Sequence, residues 1–192
     1  MTTYPVRTRR WTRREYDRLV EIGVLHEDEP IELIGGELIV AEPKGSPHAT
    51  SVALTADALR AASGRGWLVR QQDPIALDDD SEPEPDVAVV PGTARDDRAE
   101  HPARPALVVE VAESSPTSDR RYKGSLYARG GIADYWIVDL VDRAVEVRRR
   151  PVPAPAAKFG WRYAETRLFR AGATIAPLAR PDAVIVVADL LP

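Results

Sequence analysis

The stretch Pro105–Leu140, PALVVEVAESSPTSDRRYKGSLYARGGIADYWIVDL, decides how the rest of the 192-residue chain is read. Leu107 to Val111 is an apolar run with one acid inside it, Glu110. A Ser-Pro-Thr-Ser loop at 115–118 follows, then a helical pattern carrying Lys123, Leu126 and Tyr127, then a second apolar run from Tyr135 to Leu140. Strand, helix and strand in that order form a parallel crossover, expected to be right-handed. A carboxylate inside a short buried strand is costly unless something offsets its charge. Glu110 is therefore the first residue that asks for a chemical explanation.

Upstream, a strand from Val87 to Val90 starts directly after Pro85-Asp86, and an acidic stretch from Asp78 to Glu84 before it reads as a solvated turn. Trp67 to Arg70 and Ile75 to Leu77 read as short strands. His48 to about Ala62 reads as a helix stopped at Gly64-Arg65-Gly66. Ile31 to Val40 is two apolar runs around Gly35-Gly36, a two-residue hairpin signal. Thr12 to Gly23 is a first helix, with Thr12 and Glu15 as a capping box and Gly23 as its stop.

Downstream, Val141-Asp142-Arg143 makes a tight turn into a strand over Arg143 to Arg149. Gly92 to Arg104 is a polar connection with room for a short helix, and Pro151 to Ala157 is a loop. Weaker strands lie at Trp161 to Thr166 and Val184 to Val187. The order of elements predicts an α/β fold of the α+β, mixed-sheet kind. One domain covers 1–192, with a core over about 10–150 and a C-terminal β extension over 151–192.

Composition narrows the function. No 18-residue apolar run spans a membrane, no apolar leader is visible at the N-terminus, and zero cysteines exclude disulfides and thiolate metal sites; a cytoplasmic protein is expected. A net charge of −4 argues against coating nucleic acid nonspecifically, but leaves room for a local basic groove. Three of the 26 basic residues are lysine (Lys44, Lys123, Lys158), so arginine supplies the other 23. Where arginine is the default cation, a lysine on the central helix is marked out for its chemistry.

Asp86, Glu110 and Lys123 then converge on one reading. Two carboxylates on adjacent strands can hold a hard divalent cation such as Mg²⁺, which takes oxygen ligands and keeps several waters. A lysine beside them can orient or help deprotonate a metal-bound water. Each residue also has a plainer reading. Pro85-Asp86 is an ordinary turn before a strand, Glu110 an edge acid paired with arginine, and Lys123 a solvated helix residue. His26, His48 and His101 lack ligand spacing, with His48 capping or lining the rim of a site. Tyr135 and Trp136 read as core.

The order Pro85-Asp86, Val108-Val109-Glu110-Val111, Ser115-Pro116, Asp119-Arg120-Arg121-Tyr122-Lys123, Tyr127-Ala128 and Ile132-Ala133-Asp134-Tyr135-Trp136-Ile137-Val138-Asp139 resembles the Uma2 family. These are restriction-endonuclease-like proteins of the PD-(D/E)XK nuclease superfamily. The hairpin Glu32 to Leu38 and the Pro47-His48 helix start match as well. The resemblance implies a restriction-endonuclease-like core, a central mixed sheet flanked by helices, with an N-terminal helix and hairpin. It further implies Asp86 and Glu110 as ligands of Mg²⁺ or Mn²⁺, with the Val111 carbonyl as a third.

One departure stands out. Ala112 stands where the superfamily lysine would, two residues after the second acid; the resemblance implies that a lysine on the next helix takes that place, and Lys123 occupies it here. Asp119, four residues before Lys123, can position it. Glu37 is a further acid near the metal, and Gln72 a weaker supporting candidate. The function implied is a metal-dependent endonuclease acting on DNA, with a homodimer plausible for a duplex substrate. The alternatives are a catalytically inactive nuclease-fold module that binds nucleic acid or protein, and a hydrolase of smaller phosphates.

Overall fold

The computed structural model describes residues 8–26, 29–41, 43–96, 98, 100–113 and 119–192; the expected Ser-Pro-Thr-Ser loop, including Ser115-Pro116, lies outside them. Helix α1 (Arg13–Glu21) starts at the expected capping box, with the Thr12 side chain accepting from Glu15 N–H and the Glu15 side chain from Thr12 N–H. Strands β1 (Ile31–Ile34) and β2 (Glu37–Val40) form an antiparallel hairpin. Gly35 and Gly36 turn it at φ 57° and 79°, values that side chains beyond Cα strongly disfavour. Helix α2 (Ser46–Ser63) begins two residues before the expected start, because Pro47 fits the first helical turn, where a missing N–H costs nothing.

A six-stranded sheet carries the rest, in the order β3 (Trp67–Gln71), β4 (Val87–Pro91), β5 (Leu107–Ala112), β6 (Asp134–Asp139), β7 (Ala144–Pro153) and β8 (Trp161–Arg170). Only β5 and β6 run parallel, joined by the expected crossover; every other pair is antiparallel. The fold is therefore α/β with a mixed sheet. The crossover itself is shorter than a plain helix. A π turn over Asp119–Lys123 runs into the six-residue helix α3 (Gly124–Arg129). Gly124 lets that wide turn close, since a Cβ there would stand 3.1 Å from the Asp119 carbonyl oxygen.

The two faces of the sheet bury different partners. One face packs Val87, Val109, Trp136 and Val145 against Val52, Ala56 and Leu59 of α2. The other packs Ala88, Val108, Tyr135 and Ile137 against Leu126, Tyr127 and Ala128 of α3, with Ile34 of the hairpin. Tyr135 and Trp136 are core, as expected. The tail beyond Arg150 is woven in. β9 (Thr174–Ile175) and β10 (Ile185–Val186) pair antiparallel, and Ile175, Ile185, Val187 and Leu190 join the α2 face of the core.

Four local expectations change. Ile75 to Leu77 is a buried connection, not a strand, because its N–H groups find loop carbonyls: Ile75 donates to Pro83 (3.0 Å) and Ala76 to Pro102 (3.1 Å). The Asp78 to Glu84 stretch is not a freely solvated turn. Ser81 and Glu82 are buried, Glu82 N–H donates to the Leu33 carbonyl (2.7 Å), and Arg129 neutralises Asp78 and Asp80. No helix occurs among the described residues of 92–104. The Pro-rich segment after Arg150 is partly strand, since β7 past Arg149 has β8 as its only paired neighbour, and proline is tolerated on such an edge.

Candidate functional site

The β4–β5 register pairs Val87 with Val109, and one more step along both strands sets Asp86 opposite Glu110. The β3–β4 register pairs Gln71 with Val87, so Gln72 follows opposite Asp86. Gln72, Asp86 and Glu110 therefore form one row across three strands, on the face that α3 covers. Gln72 leaves its strand at φ 53°, its N–H held by the Asp86 carbonyl at 3.2 Å, while its side-chain amide stands 3.5 Å from Asp86 Oδ1.

Asp86 is buried and densely partnered. Lys44 Nζ lies 3.0 Å from Oδ1; His48 Nε2 (3.1 Å) and the Val111 N–H (2.8 Å) meet Oδ2. Burial by itself would raise its pKa. The His48 hydrogen bond, the Lys44 charge and the Val111 N–H outweigh it and hold the carboxyl well below the usual range. Asp86 is an anion at any working pH, so His48 Nε2 donates to it.

Glu110 has the opposite balance. Its Oε1 accepts from Tyr127 OH (2.6 Å) and faces Lys123 Nζ at 3.1 Å. Burial pushes its pKa up to about 8, an effect that Lys123 offsets only in part and that Asp86, Asp119 and Glu32 reinforce. Burial likewise lifts Asp119 to about 6 against the pull of Lys123. Lys123 also reaches Glu32 Oε1 at 3.7 Å. For Lys123 burial works downward, but Glu110, Glu32 and Asp119 outweigh it and raise the ammonium above its ordinary range. Its acid neighbours hold it as a cation and a hydrogen-bond donor.

The structure thus brings Asp86, Glu110, Lys123, Val111 and Gln72 together, with Asp119 close enough for its charge to be felt. Glu37 stands apart. It is exposed, with its carboxylate 3.3 Å from the Tyr122 hydroxyl, and Glu32 is the hairpin acid that meets Lys123. Sequence reasoning passed over Lys44, Glu32 and Tyr127 and took His48 for a rim residue. Glu32 carries the same signal as Glu110, an acid inside an apolar strand. Lys44 carries the same signal as Lys123, a rare lysine.

A family model described as "Putative restriction endonuclease" and named Uma2 matches residues 13–186. The chain belongs to the Uma2 family. A solved structure, described as "a putative nuclease belonging to DUF820" from Anabaena variabilis ATCC 29413, is similar to it with a TM-score of 0.67. The two share 19% identity, and the match covers 90% of this chain and 96% of that one; at that identity the likeness is one of fold. No curated protein matches. It is the family's description that points this Uma2 chain towards nuclease chemistry.

Asp86 and Glu110 are the residues of this Uma2 site that could hold a divalent cation of the hard kind. Among the described residues no three His, Cys, Asp or Glu side chains form a protein-only cage. Two facing carboxylates leave most of the coordination sphere to water, which suits Mg²⁺ better than Zn²⁺. Burial, reinforced by the neighbouring acids, raises Glu110 and Asp119, and the acids outnumber the cations around Lys123. A divalent charge between Asp86 and Glu110 would relieve that excess.

Proposed function

We propose that this Uma2 protein is a Mg²⁺- or Mn²⁺-dependent endonuclease that hydrolyses DNA phosphodiester bonds. The observation that carries the reading is the row Asp86–Glu110 with Lys123 seated on Glu110 at 3.1 Å. Asp86, Glu110 and the Val111 carbonyl would hold the cation. When bound, it supplies phosphate neutralisation and a water acidic enough to attack near neutral pH. Asp86 stays ionised because Lys44, His48 and the Val111 N–H stabilise its charge. Tyr127 and Lys123 fix the Glu110 carboxylate, and Lys123, permanently charged, donates to the water or to the phosphoryl oxygens as charge develops there. Cutting both strands of a duplex calls for two such sites, which a pair of chains supplies. The reading carries a cytoplasmic location with it.

Nicking of supercoiled plasmid in Mg²⁺ or Mn²⁺, beside Asp86→Asn, tests it. The variant is expected to lose at least about a hundredfold in rate, since metal-borne charge stabilisation amounts to several kcal/mol. Full activity in Asp86→Asn would sink the assignment.

One observation favours a second reading. Lys44, His48 and the Val111 N–H already engage both Asp86 oxygens, an arrangement that also suits a nuclease fold retaining only binding. Calorimetry separates the two: the binding module takes up nucleic acid but no Mg²⁺ or Mn²⁺, whereas the nuclease takes up metal.

A further inference from the structure

Two cavities of opposite charge flank the candidate site. One, of about 760 Å³, is walled mostly by acids, Asp17, Glu29, Asp73 and Glu84 among them, which outnumber its two arginines, Arg13 and Arg98, and it touches the site at Gln72. Burial and the neighbouring Glu32 push the Glu84 carboxyl upward, as expected where acids crowd. A polyphosphate cannot approach through that wall without severe repulsion.

The other cavity, of about 520 Å³, lies where the π turn and α3 meet β7, β8 and the loop between them. Arg120, Arg121, Arg148, Lys158 and Arg162 line it, with Trp161 in its wall. Two of the five cations are already committed. Arg120 pairs with Asp139 and Glu146, and Arg148 holds Glu146 at 2.8 Å and the Arg120 carbonyl at 2.8 Å. These tie the wall together.

The other three are exposed, and among the described residues no carboxylate pairs with Arg121, Lys158 or Arg162. Lys158 rests over the Tyr122 ring at 5.2 Å. Three unpaired cations around one concavity, in a chain of net charge −4, form a local positive focus. The π turn that carries Lys123 also carries Arg120 and Arg121, so this cavity is continuous in sequence with the site.

We propose that the cavity between the π turn, α3 and the β7–β8 loop is the cradle for the phosphate backbone of the nucleic-acid substrate, gripped by Arg121, Lys158 and Arg162. The inference rests on the nuclease reading and deepens it. The backbone enters over β7–β8, passes the Lys123 turn, and is turned away from the acidic cavity beyond Gln72. Contacts of this kind set position and affinity and read no base sequence.

The test is equilibrium binding of fluorescein-labelled duplex DNA, single-stranded DNA and RNA of one sequence in EDTA, across a range of NaCl. The triple variant Arg121→Gln, Lys158→Gln, Arg162→Gln is compared with Arg65→Gln, Arg95→Gln, Arg104→Gln, which removes the same charge from exposed positions elsewhere. The cavity triple is expected to weaken binding at least about tenfold and to flatten the slope of log K against log salt by about 2.7, at about 0.9 per duplex phosphate contact. The control triple is expected to change the slope little. Equal losses in both triples, or none in the cavity triple, would overturn the cradle while leaving metal-dependent cleavage by the wild type standing. Binding that depends on the cavity without any cleavage would keep the cradle and remove the enzyme. No binding to any of the three nucleic acids would remove both.

Discussion

Replacing Lys123 with methionine keeps the length of the side chain and removes its charge, so it isolates what the ammonium does for the acids around it. In the wild type Lys123 stands 3.1 Å from Glu110 and 3.7 Å from Glu32. Removing one partner of a buried ion pair costs about 3–5 kcal/mol, because the other is left uncompensated. The Lys123 side chain is 17% exposed, so water screens part of that loss, and about 2–4 kcal/mol is the expected figure at pH 8.5. For a chain of this size that is a fall in Tm of roughly 5–15 °C.

The pH dependence follows from Glu110, whose folded pKa of about 8 lies above the ordinary 4.5. Below the ordinary value both folded and unfolded chains hold the proton. Between the two values the folded chain keeps a proton that the unfolded chain releases, so stability declines as pH rises and the decline is complete above the folded value. Without Lys123 the folded pKa moves higher still, which extends and deepens the decline. At pH 5 Glu110 is protonated in either protein, and the deficit of Lys123→Met is expected to shrink below about 1.5 kcal/mol. Thermal denaturation of both proteins in EDTA at pH 5 and pH 8.5 is the assay. An equal loss of Tm at the two pH values would refute the electrostatic account and leave Lys123 as a packing residue.

Other expectations can be checked more briefly. On the proposed nuclease reading, His48→Ala, which strips Asp86 of its 3.1 Å partner, should slow cleavage about 10–100-fold, as loss of a group orienting a metal ligand does, with partial recovery in His48→Gln, whose amide can donate in its place. Gly35→Ala should cost about 1–3 kcal/mol in urea denaturation, because φ is 57° and a Cβ would clash with the Phe159 ring. We also propose that the tail and the rest of the chain are one domain: a chain ended at Arg150 should show no cooperative unfolding, since it loses β8 and the Ile175, Ile185, Val187 and Leu190 share of the core.

Much of the scaffold could be read from local chemistry. The capping box at Thr12, the Gly35-Gly36 turn and the β5–α3–β6 crossover are each specified by residues within a few positions of one another. The misreadings share a different cause. Ile75 to Leu77 has an apolar pattern, but its N–H groups bond to Pro83 and Pro102, partners that no local signal announces. The acidic turn after it looks solvated because its neutralising cation, Arg129, lies about 50 residues downstream. At the site, Asp86, Glu110 and Lys123 were legible because each breaks the pattern around it. His48 breaks no pattern, and Lys44 carries only its rarity as a lysine; it is the meeting of the α2 start with β4 that makes them partners of Asp86.

The lysines tie these threads together. In a chain where arginine outnumbers lysine 23 to three, two of the three lysines, Lys44 and Lys123, contact the Asp86–Glu110 pair. Guanidinium groups do serve as structural clamps elsewhere in the fold, at Arg120, Arg129 and Arg149, where planar forks bridge two or more acceptors. On the nuclease reading proposed above, the cation at the acid pair would have to be compact, since a wide fork would fill space that a hydrated metal ion and a phosphate would share. An ammonium can swing on its flexible stem from a carboxylate to a phosphoryl oxygen as the ion enters. Lys44, 38% exposed and seated on Asp86 Oδ1, is placed to yield that oxygen, whereas Lys123, enclosed by Glu110 and Glu32, is placed to stay. Arginine at either position would keep the charge and lose that division of labour.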